Sequence, residues 1–202
     1  MATPVPPPAA PTAGIPPLNA AGLLPPYVGG DPTAMNAMSP YPCTLRELAS
    51  VFCTSAVRVT ILKGLLEYRK QLAQLGFVNG FQWLSGSYLE AIERIESRDP
   101  KDVDLVTFCK APANCPTPLH LQAVIAAHPD VFQPPRAKTR FFCDPYFVNF
   151  EFGPRFVAMQ ARYWFGLFSH RRDWSWKGLL EVPLALSQDD ADTATYVNGL
   201  NY

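Results

Sequence analysis

The stretches FQWLSGS, residues 81–87, and DVDLVTF, residues 102–108, decide the fold of this chain. The first is a short β-type run that stops at a Gly-Ser pair, which predicts a strand followed by a tight turn. The second alternates in polarity and then becomes apolar, which predicts a strand with one buried face. Because side chains alternate between the two faces of a strand, Asp102 and Asp104 lie on the same face. The sequence therefore predicts a rigid pair of carboxylates close to a Gly-Ser turn.

This combination of groups suits a metal ion and a triphosphate. Mg²⁺ takes oxygen ligands in a near-ideal octahedron, so carboxylates fixed on a strand are good ligands for it. Gly86 lets backbone amides approach phosphate oxygens, and Ser85 and Ser87 complete the candidate nucleotide-binding turn. A helix predicted over residues 88–95 adds the positive end of its dipole. An isolated Asp-x-Asp pair is more often a solvated strand end, so the prediction depends on the whole string.

The other elements follow from capping residues and hydrophobic spacing. Thr44 and Glu47 form a capping box that begins a short helix, and Ser55 or Thr54 caps the next helix, which stops at Gly76. Further elements are predicted as helices over 57–75, 119–127 and 156–168 and as strands over 140–148, where Pro145 marks an edge or a bulge, and 177–186. The second helix is expected to have a solvated charged face made by Arg58, Lys63, Glu67, Arg69 and Lys70.

These elements predict an α+β fold, a small mixed β-sheet with helices packed on one side and the site at one sheet edge. A length of 202 residues suits one domain with a sizeable core. We divide the chain into an N-terminal arm, residues 1–42, a folded domain, residues 43–186, and an acidic C-terminal tail, residues 187–202, which is expected to be loose.

The arm contains twelve of the 22 prolines and a single charged residue, Asp31. Proline disfavours helix at its own position and at the preceding residue, so the arm is expected to be extended or partly disordered. The segment LLPPY, residues 23–27, carries enough apolar surface to lie against the domain. The arm is also a candidate docking element for a protein partner, although its proline spacing is a weak signal.

Charge and hydropathy exclude some functions. Seventeen basic and seventeen acidic residues cancel, so no global field attracts the protein to nucleic acid or to an anionic membrane. No apolar run approaches the roughly 18 to 20 residues that span a bilayer, so the sequence predicts no membrane association and a cytoplasmic location. The five cysteines contain no Cys-x-x-Cys pair, which indicates reduced and mostly buried thiols.

The string of strand, Gly-Ser, fourteen residues and Asp-Val-Asp resembles the DNA polymerase beta-like nucleotidyltransferase superfamily. The signature of that superfamily is a hydrophobic strand, Gly-Gly or Gly-Ser, a spacer, and Asp-hydrophobic-(Asp or Glu)-hydrophobic, and the spacer here is slightly longer than is usual in the minimal members. About residues 20 to 186 are also similar to an uncharacterised bacterial group with a domain-of-unknown-function label. The matching motifs are Leu24-Pro25-Pro26, Trp83 to Ser87, Asp102 to Asp104, Cys143-Asp144 and Lys177-Gly178.

The resemblance implies a nucleoside triphosphate substrate, Mg²⁺ or Mn²⁺ as cofactor, and a third metal-binding carboxylate on a later strand. Asp144, in RFFCDPYFV, matches that position best, and Glu151 is the competing candidate. Asp144 is alternatively a turn former before Pro145, in which case the protein binds nucleotide without transferring it. Asp102, Asp104 and Asp144 are therefore the candidate catalytic and metal-binding residues.

Two further clusters each have two interpretations. Arg171 and Lys177 are candidates for binding the triphosphate, or part of a solvated basic turn after a helix. The aromatic residues of the same region could stack nucleic-acid bases, although at helical spacing such a set is more often core. They are Tyr163, Trp164, Phe165, Phe168, Trp174 and Trp176.

The predicted reaction is in-line attack by an acceptor hydroxyl on the α-phosphate of the nucleoside triphosphate, with pyrophosphate leaving. The resemblance implies a protein or tRNA acceptor and, as one setting, a toxin-antitoxin or phage-defence system. The first alternative is an interaction protein that keeps the fold without turnover, as an antitoxin or complex subunit docking through the arm. A phosphate-binding regulatory domain is the second alternative.

Overall fold

The computed structural model describes residues 14–31 and 33–202, which form a five-stranded mixed sheet with the order β1-β5-β2-β3-β4. The strands are β1 (Tyr41–Pro42), β2 (Gly80–Ser85), β3 (Val103–Cys109), β4 (Cys143–Asn149) and β5 (Leu180–Pro183). Strand β2 is antiparallel to β3 and β5, whereas β4 is parallel to β3 and β1 is parallel to β5. The α+β class is confirmed, and Pro145 lies on an edge strand, where a missing amide donor costs least.

Eight α-helices surround the sheet in the part of the chain that the structure describes. They are α1 (Leu45–Phe52), α2 (Ala56–Gln74), α3 (Ile92–Glu96), α4 (Pro118–Ala127), α5 (Pro129–Phe132), α6 (Pro134–Phe141), α7 (Pro154–Phe168) and α8 (Gln188–Asn198). The capping box of Thr44 and Glu47 begins α1, and the Ser55 side chain caps α2, as the sequence predicts. No helix of the described residues combines the length and the apolar character needed to cross a bilayer.

Helices lie on both faces of the sheet, not on one side as predicted. Strand β3 is the reason, because it is apolar on both faces and each face must be covered. Its residues Val103 and Leu105 belong to the large core cluster with α1 and α2, whereas Val106 and Phe108 pack in a second cluster with α7. Trp164 and Phe168 of α7 are buried in that second cluster.

The segment before β4 differs from the predicted strand over residues 140–148. Residues up to Phe141 belong to α6, which begins with a proline at its first turn and has two basic residues in its last turn, both favourable for a helix. Phe142 ends the helix in the left-handed region, with φ +55°, and β4 begins directly at Cys143. The short connection places Lys138 of α6 close to the start of β4.

The acidic C-terminal segment is a packed helix, α8, and not a loose tail. The Asp189 carboxylate accepts hydrogen bonds from the amides of Leu45 and Arg46 at 2.7 and 3.1 Å, so it satisfies the N-terminus of α1. Asp190 pairs with Arg69 at 2.8 Å. Asp189 and Asp190 therefore bind the domain instead of facing water.

The charged face of α2 is only partly solvated, because Arg58 and Arg69 are each 2% exposed. Arg58 is paired with Glu93 at 2.6 Å and donates to the carbonyls of Tyr88 and Glu90 at 2.7 and 2.6 Å. Buried guanidinium groups are tolerated when all their donors are paired. Helical spacing alone does not reveal these partners, which lie on other elements.

The described part of the arm packs against its own domain. Leu23 and Leu24 are buried, and the Gly178 amide donates to the Leu24 carbonyl at 2.8 Å. A side chain at Gly178 would lie 2.5 Å from the Pro25 carbonyl, so only glycine allows this approach. Within residues 23–27, Leu23 and Leu24 lie against the domain, whereas Tyr27 is exposed. Residues 1–13, with their prolines, lie outside the described residues.

Candidate active site

Three carboxylates meet where β3 and β4 begin. Asp104 and Asp144 are register partners on these parallel strands, and Asp102 immediately precedes β3. The Lys138 ammonium joins the outer two, because its Nζ lies 3.0 Å from Asp102 Oδ2 and 3.0 Å from Asp144 Oδ2. Glu151 lies beyond the other end of β4, in the 3-10 helix Phe150–Phe152, so Asp144 is the third carboxylate of the cluster.

The Gly-Ser turn lies directly against this cluster. Ser85 ends β2 opposite Asp104, and Gly86 has φ +88°, a conformation that a residue with a side chain rarely adopts. A Cβ atom at Gly86 would lie 2.8 Å from Asp104 Oδ2. The glycine therefore allows both the sharp turn and the close approach of the two strands.

The predicted helix over residues 88–95 is wrong. The turn continues as a single 3-10 turn, Ser87–Leu89, and α3 begins only at Ile92. The reason is the buried Arg58 guanidinium, which binds the carbonyls of Tyr88 and Glu90 that a continuous helix would use. The dipole of a regular helix is therefore missing behind the turn.

The predicted nucleotide-binding side chains lie near the turn but several already have partners. The Ser85 hydroxyl is buried and donates to the Phe168 carbonyl at 3.1 Å, so it anchors the end of α7. Lys177 is buried and pairs with Glu90 at 2.6 Å. Arg171 pairs with the same carboxylate at 3.0 Å. Ser87 lines the cleft beside these groups.

Glu90 and Lys138 are site residues that the sequence did not reveal. Glu90 is 4% exposed and holds two cations behind the Gly86 turn, where Lys177 Nζ also lies 3.4 Å from the Gly86 carbonyl. Lys138 lies on a helix that the sequence did not predict. In the sequence, the basic residues Arg171 and Lys177 lie close together, and this cluster was the only indication that a carboxylate would be needed nearby.

Burial and the closeness of the carboxylates shift the pKa values of Asp104 and Lys138. Burial, reinforced by the negative charges of Asp102 and Asp144, raises the pKa of Asp104 to about 6. Burial lowers the pKa of Lys138, but its hydrogen bonds to Asp144 and Asp102 and their charges outweigh this effect, so its pKa is raised overall. At neutral pH Asp104 is therefore ionised at a cost in free energy, whereas Lys138 remains protonated.

The donor chemistry of the cluster fits a hard divalent cation, because Mg²⁺ and Mn²⁺ prefer carboxylate oxygens. A cation there would neutralise the like charges that raise the pKa of Asp104. The carboxylates do not have the geometry of a closed metal site. Within residues 14–31 and 33–202, no three His, Cys, Asp or Glu side chains lie close enough together to bind one ion. Lys138 lies between two of the carboxylates, and a metal ion would require it to move.

An open cleft of about 970 Å³ extends from the carboxylates, and its size suits a nucleotide. The turn at Gly86 and Ser87 forms one wall. Lys101 and Arg172 line the same cleft and form no ion pair with any residue that the structure describes, so their charges are available to an anionic ligand. Trp174 also lines it and is 83% exposed.

Residues 16–183 match the model of a family of unknown function, DUF6932. The chain belongs to this family. The DUF6932 match begins within the arm and ends at Pro183, the last residue of β5, so it contains the whole sheet and the cleft, whereas α8 lies beyond it. No curated protein and no solved structure gives a significant match. Membership in DUF6932 therefore assigns no reaction, and a function must be argued from the cleft.

The aromatic residues of this DUF6932 chain divide between core and surface. Trp164 and Phe168 are buried, as the core interpretation predicts. Tyr163, Trp174 and Trp176 are 56%, 83% and 48% exposed, so the core interpretation is wrong for these three. Trp174 adopts φ +67° in the loop that follows α7 and lines the cleft.

The raised pKa of Asp104 predicts a pH-dependent stability. Its folded pKa of about 6 exceeds the ordinary aspartate value of 3.8, so ionisation in the folded state costs free energy, and stability falls as pH rises from about 4 to about 6. Without metal, Asp104→Asn should raise the free energy of unfolding by about 1 to 3 kcal/mol at pH 7.5 and by about a third as much at pH 4.5. Urea unfolding at the two pH values measures this.

The exposed Asp192 of α8 supplies the control for this measurement. Asp192→Asn removes the same charge far from the cleft and should alter neither curve by more than about 0.5 kcal/mol. A loss of stability in Asp104→Asn at pH 7.5 would contradict the electrostatic account of the cluster.

Proposed function

We propose that the protein is a metal-dependent nucleotidyltransferase that moves a nucleoside monophosphate from a nucleoside triphosphate to a hydroxyl of a protein or RNA acceptor. The observation that supports this best is the convergence of Asp102, Asp104 and Asp144 against the turn at Gly86. Carboxylates on adjacent strands beside a glycine turn provide both requirements of the reaction, oxygen ligands for a cation and space for a phosphate.

Each group has a defined task in this proposal. Asp102, Asp104 and Asp144 hold Mg²⁺ or Mn²⁺, which when bound neutralises phosphate charge and orients the oxygens for in-line displacement. The missing side chain of Gly86 keeps the space beside Asp104 open. Lys101 and Arg172 attract the triphosphate into the cleft.

The edge position of β4 suits delivery of the acceptor. Asp144 lies on this outer strand and its side chain is 20% exposed, so an acceptor hydroxyl can reach it from solvent. Asp144 there orients the hydroxyl and accepts its proton as the oxygen attacks the α-phosphate and the bond to the leaving pyrophosphate breaks. Catalysis in the proposal depends most on this residue, since the turn and the other two carboxylates suffice for binding.

The test is transfer of label from α-³²P-labelled nucleoside triphosphates. The purified protein is incubated with each of the four triphosphates, Mg²⁺ and either a protein extract or total RNA. We expect a labelled acceptor band that chelation of the metal abolishes. Absence of label with every triphosphate and both acceptors, together with no Mg²⁺-dependent triphosphate binding by calorimetry, would refute the proposal.

A second candidate function is an interaction protein without turnover, and the surface of α7 favours it. Met159, Tyr163 and Leu167 recur at helical spacing and are 50%, 56% and 53% exposed, an apolar stripe of the kind that marks binding surfaces. The described part of the arm is packed on its own domain, so this stripe is the better docking surface. Stable co-purification of one partner without any labelled product would favour this candidate.

A further inference from the structure

Lys138 occupies an unusual position in the cleft. Its ammonium bridges Asp102 and Asp144 at 3.0 Å to each, while its side chain remains 44% exposed and theirs are 16% and 20% exposed. The cation thus lies at the mouth of the cluster and the carboxylates lie behind it. It contacts two carboxylate oxygens, one just before β3 and one on β4, as a divalent ion would at this place.

The bridge can open without a change of the fold, at the cost of two ion pairs. A lysine ammonium is a point charge on a flexible four-carbon stem, and ion pairs of half-exposed lysines are weak. No rearrangement of the backbone is needed, because Lys138 lies in the last turn of α6 and its side chain lines the open cleft. A doubly charged ion has the stronger attraction for three clustered carboxylates.

We propose that Lys138 is an exchangeable internal counter-ion, which bridges Asp102 and Asp144 when no metal is bound and is replaced there by a divalent cation. The displaced ammonium remains tethered at the cleft and becomes a ligand for the phosphates of the nucleotide. This role deepens the proposed function and rests on it only for the identity of the nucleotide. In the metal-free protein, Lys138 positions the carboxylates of Asp102 and Asp144.

The exchange has a measurable consequence for metal binding. A metal ion must displace a bound cation, so the metal alone binds weakly in the wild-type protein. Removing the lysine charge removes the competitor while all three carboxylates remain. The affinity for metal should therefore increase in a variant that lacks this charge. If Lys138 only supported the structure of the site, its loss would lower the affinity.

Mn²⁺ alone, without nucleotide, is the probe for this test, and its binding is followed by calorimetry or electron paramagnetic resonance. Lys138→Met and Lys138→Gln should bind Mn²⁺ roughly tenfold more tightly than the wild-type protein. Lys138→Arg keeps the charge and should show no gain. Lys70→Met, which removes a surface lysine charge on α2, is the matched control and should bind as the wild type does.

A measurement on the wild-type protein is independent of any effect on folding. Acylation of lysines, followed by mass spectrometry, should label Lys138 several-fold faster after Mn²⁺ is added, because the displaced ammonium no longer pairs with the two carboxylates. Lys70 serves as the internal reference, and its labelling should not change. Unchanged labelling of Lys138, or unchanged or weaker Mn²⁺ binding in the folded Met and Gln variants, would overturn the proposal.

The outcome separates this inference from the proposed function. Tighter Mn²⁺ binding in Lys138→Met without nucleotide transfer by the wild type would support the exchange and refute the transferase. Transfer by the wild type with no gain in Mn²⁺ affinity would refute the exchange and leave the transferase standing.

Discussion

Replacing Asp102 and Asp144 together by asparagine should reduce Mg²⁺-dependent nucleotide transfer by about a thousandfold or more. Asparagine keeps the size and one oxygen of each side chain but removes two negative charges, and neutral amides are poor ligands for Mg²⁺. The two residues lie 3.0 Å from the same Lys138 ammonium, so they act on one position in the cleft. The measurement is kcat/KM for transfer of labelled nucleotide.

The single variants refine this result. Asp144→Asn should lose transfer while retaining triphosphate binding by calorimetry, because Asp102 and Asp104 remain as metal ligands. Asp192→Asn, on α8, is the control and should keep full activity. Transfer at the wild-type rate by the double variant would exclude these carboxylates as catalytic residues.

Gly86→Ala should cost both stability and activity. The alanine must adopt φ +88°, and its Cβ would approach Asp104 Oδ2 to 2.8 Å, so the turn or the carboxylate has to shift. We expect a loss of about 2 to 4 kcal/mol in the free energy of unfolding and a fall of about a hundredfold in kcat/KM. Chemical denaturation and the transfer assay measure the two effects.

Gly153 provides a matched control for this substitution. It also has φ +88°, but nothing lies within 4 Å of the Cβ that an alanine would add. Gly153→Ala should therefore cost only the backbone strain, about 1 to 2 kcal/mol, and leave activity unchanged. Equal effects of the two substitutions on activity would show that contact with Asp104 is unimportant.

The sequence predicted the framework of the site because its signals are local. Asp104 lies on β3 opposite Ser85 and Asp102 immediately precedes this strand, and Gly86 ends β2 with the predicted turn. Asp144 was predicted from a family resemblance, and the register of β3 and β4 brings it opposite Asp104. Strand periodicity and turn chemistry involve residues close in the chain, so they can be recognised without the fold.

The parts that the sequence did not predict depend on contacts between distant segments. Glu90 becomes a site residue only because the chain returns with Arg171 and Lys177, more than eighty residues later, to pair with it. Arg58 interrupts the predicted helix at Tyr88 from a different element. No local pattern encodes such contacts.

Helix prediction failed where tertiary partners override composition. The segment of α8 resembles a solvated acidic tail, yet Asp189 and Asp190 are bound by the N-terminus of α1 and by Arg69. The predicted strand over residues 140–148 includes the last two residues of α6, Arg140 and Phe141, because aromatic residues are typical of strands. Lys138 lies in the part of α6 for which the sequence predicted no element, so its position between Asp102 and Asp144 was not foreseen.

A crystal structure with Mn²⁺ and a non-hydrolysable nucleoside triphosphate would show whether the three carboxylates form one site for metal and nucleotide. We predict an anomalous difference peak within ligand distance, about 2.2 Å, of oxygens from Asp102, Asp104 and Asp144, with the triphosphate against Gly86 and Lys138 withdrawn from its bridge. A nucleotide bound elsewhere, or a cleft without an anomalous peak and with the Lys138 bridge intact, would contradict the account.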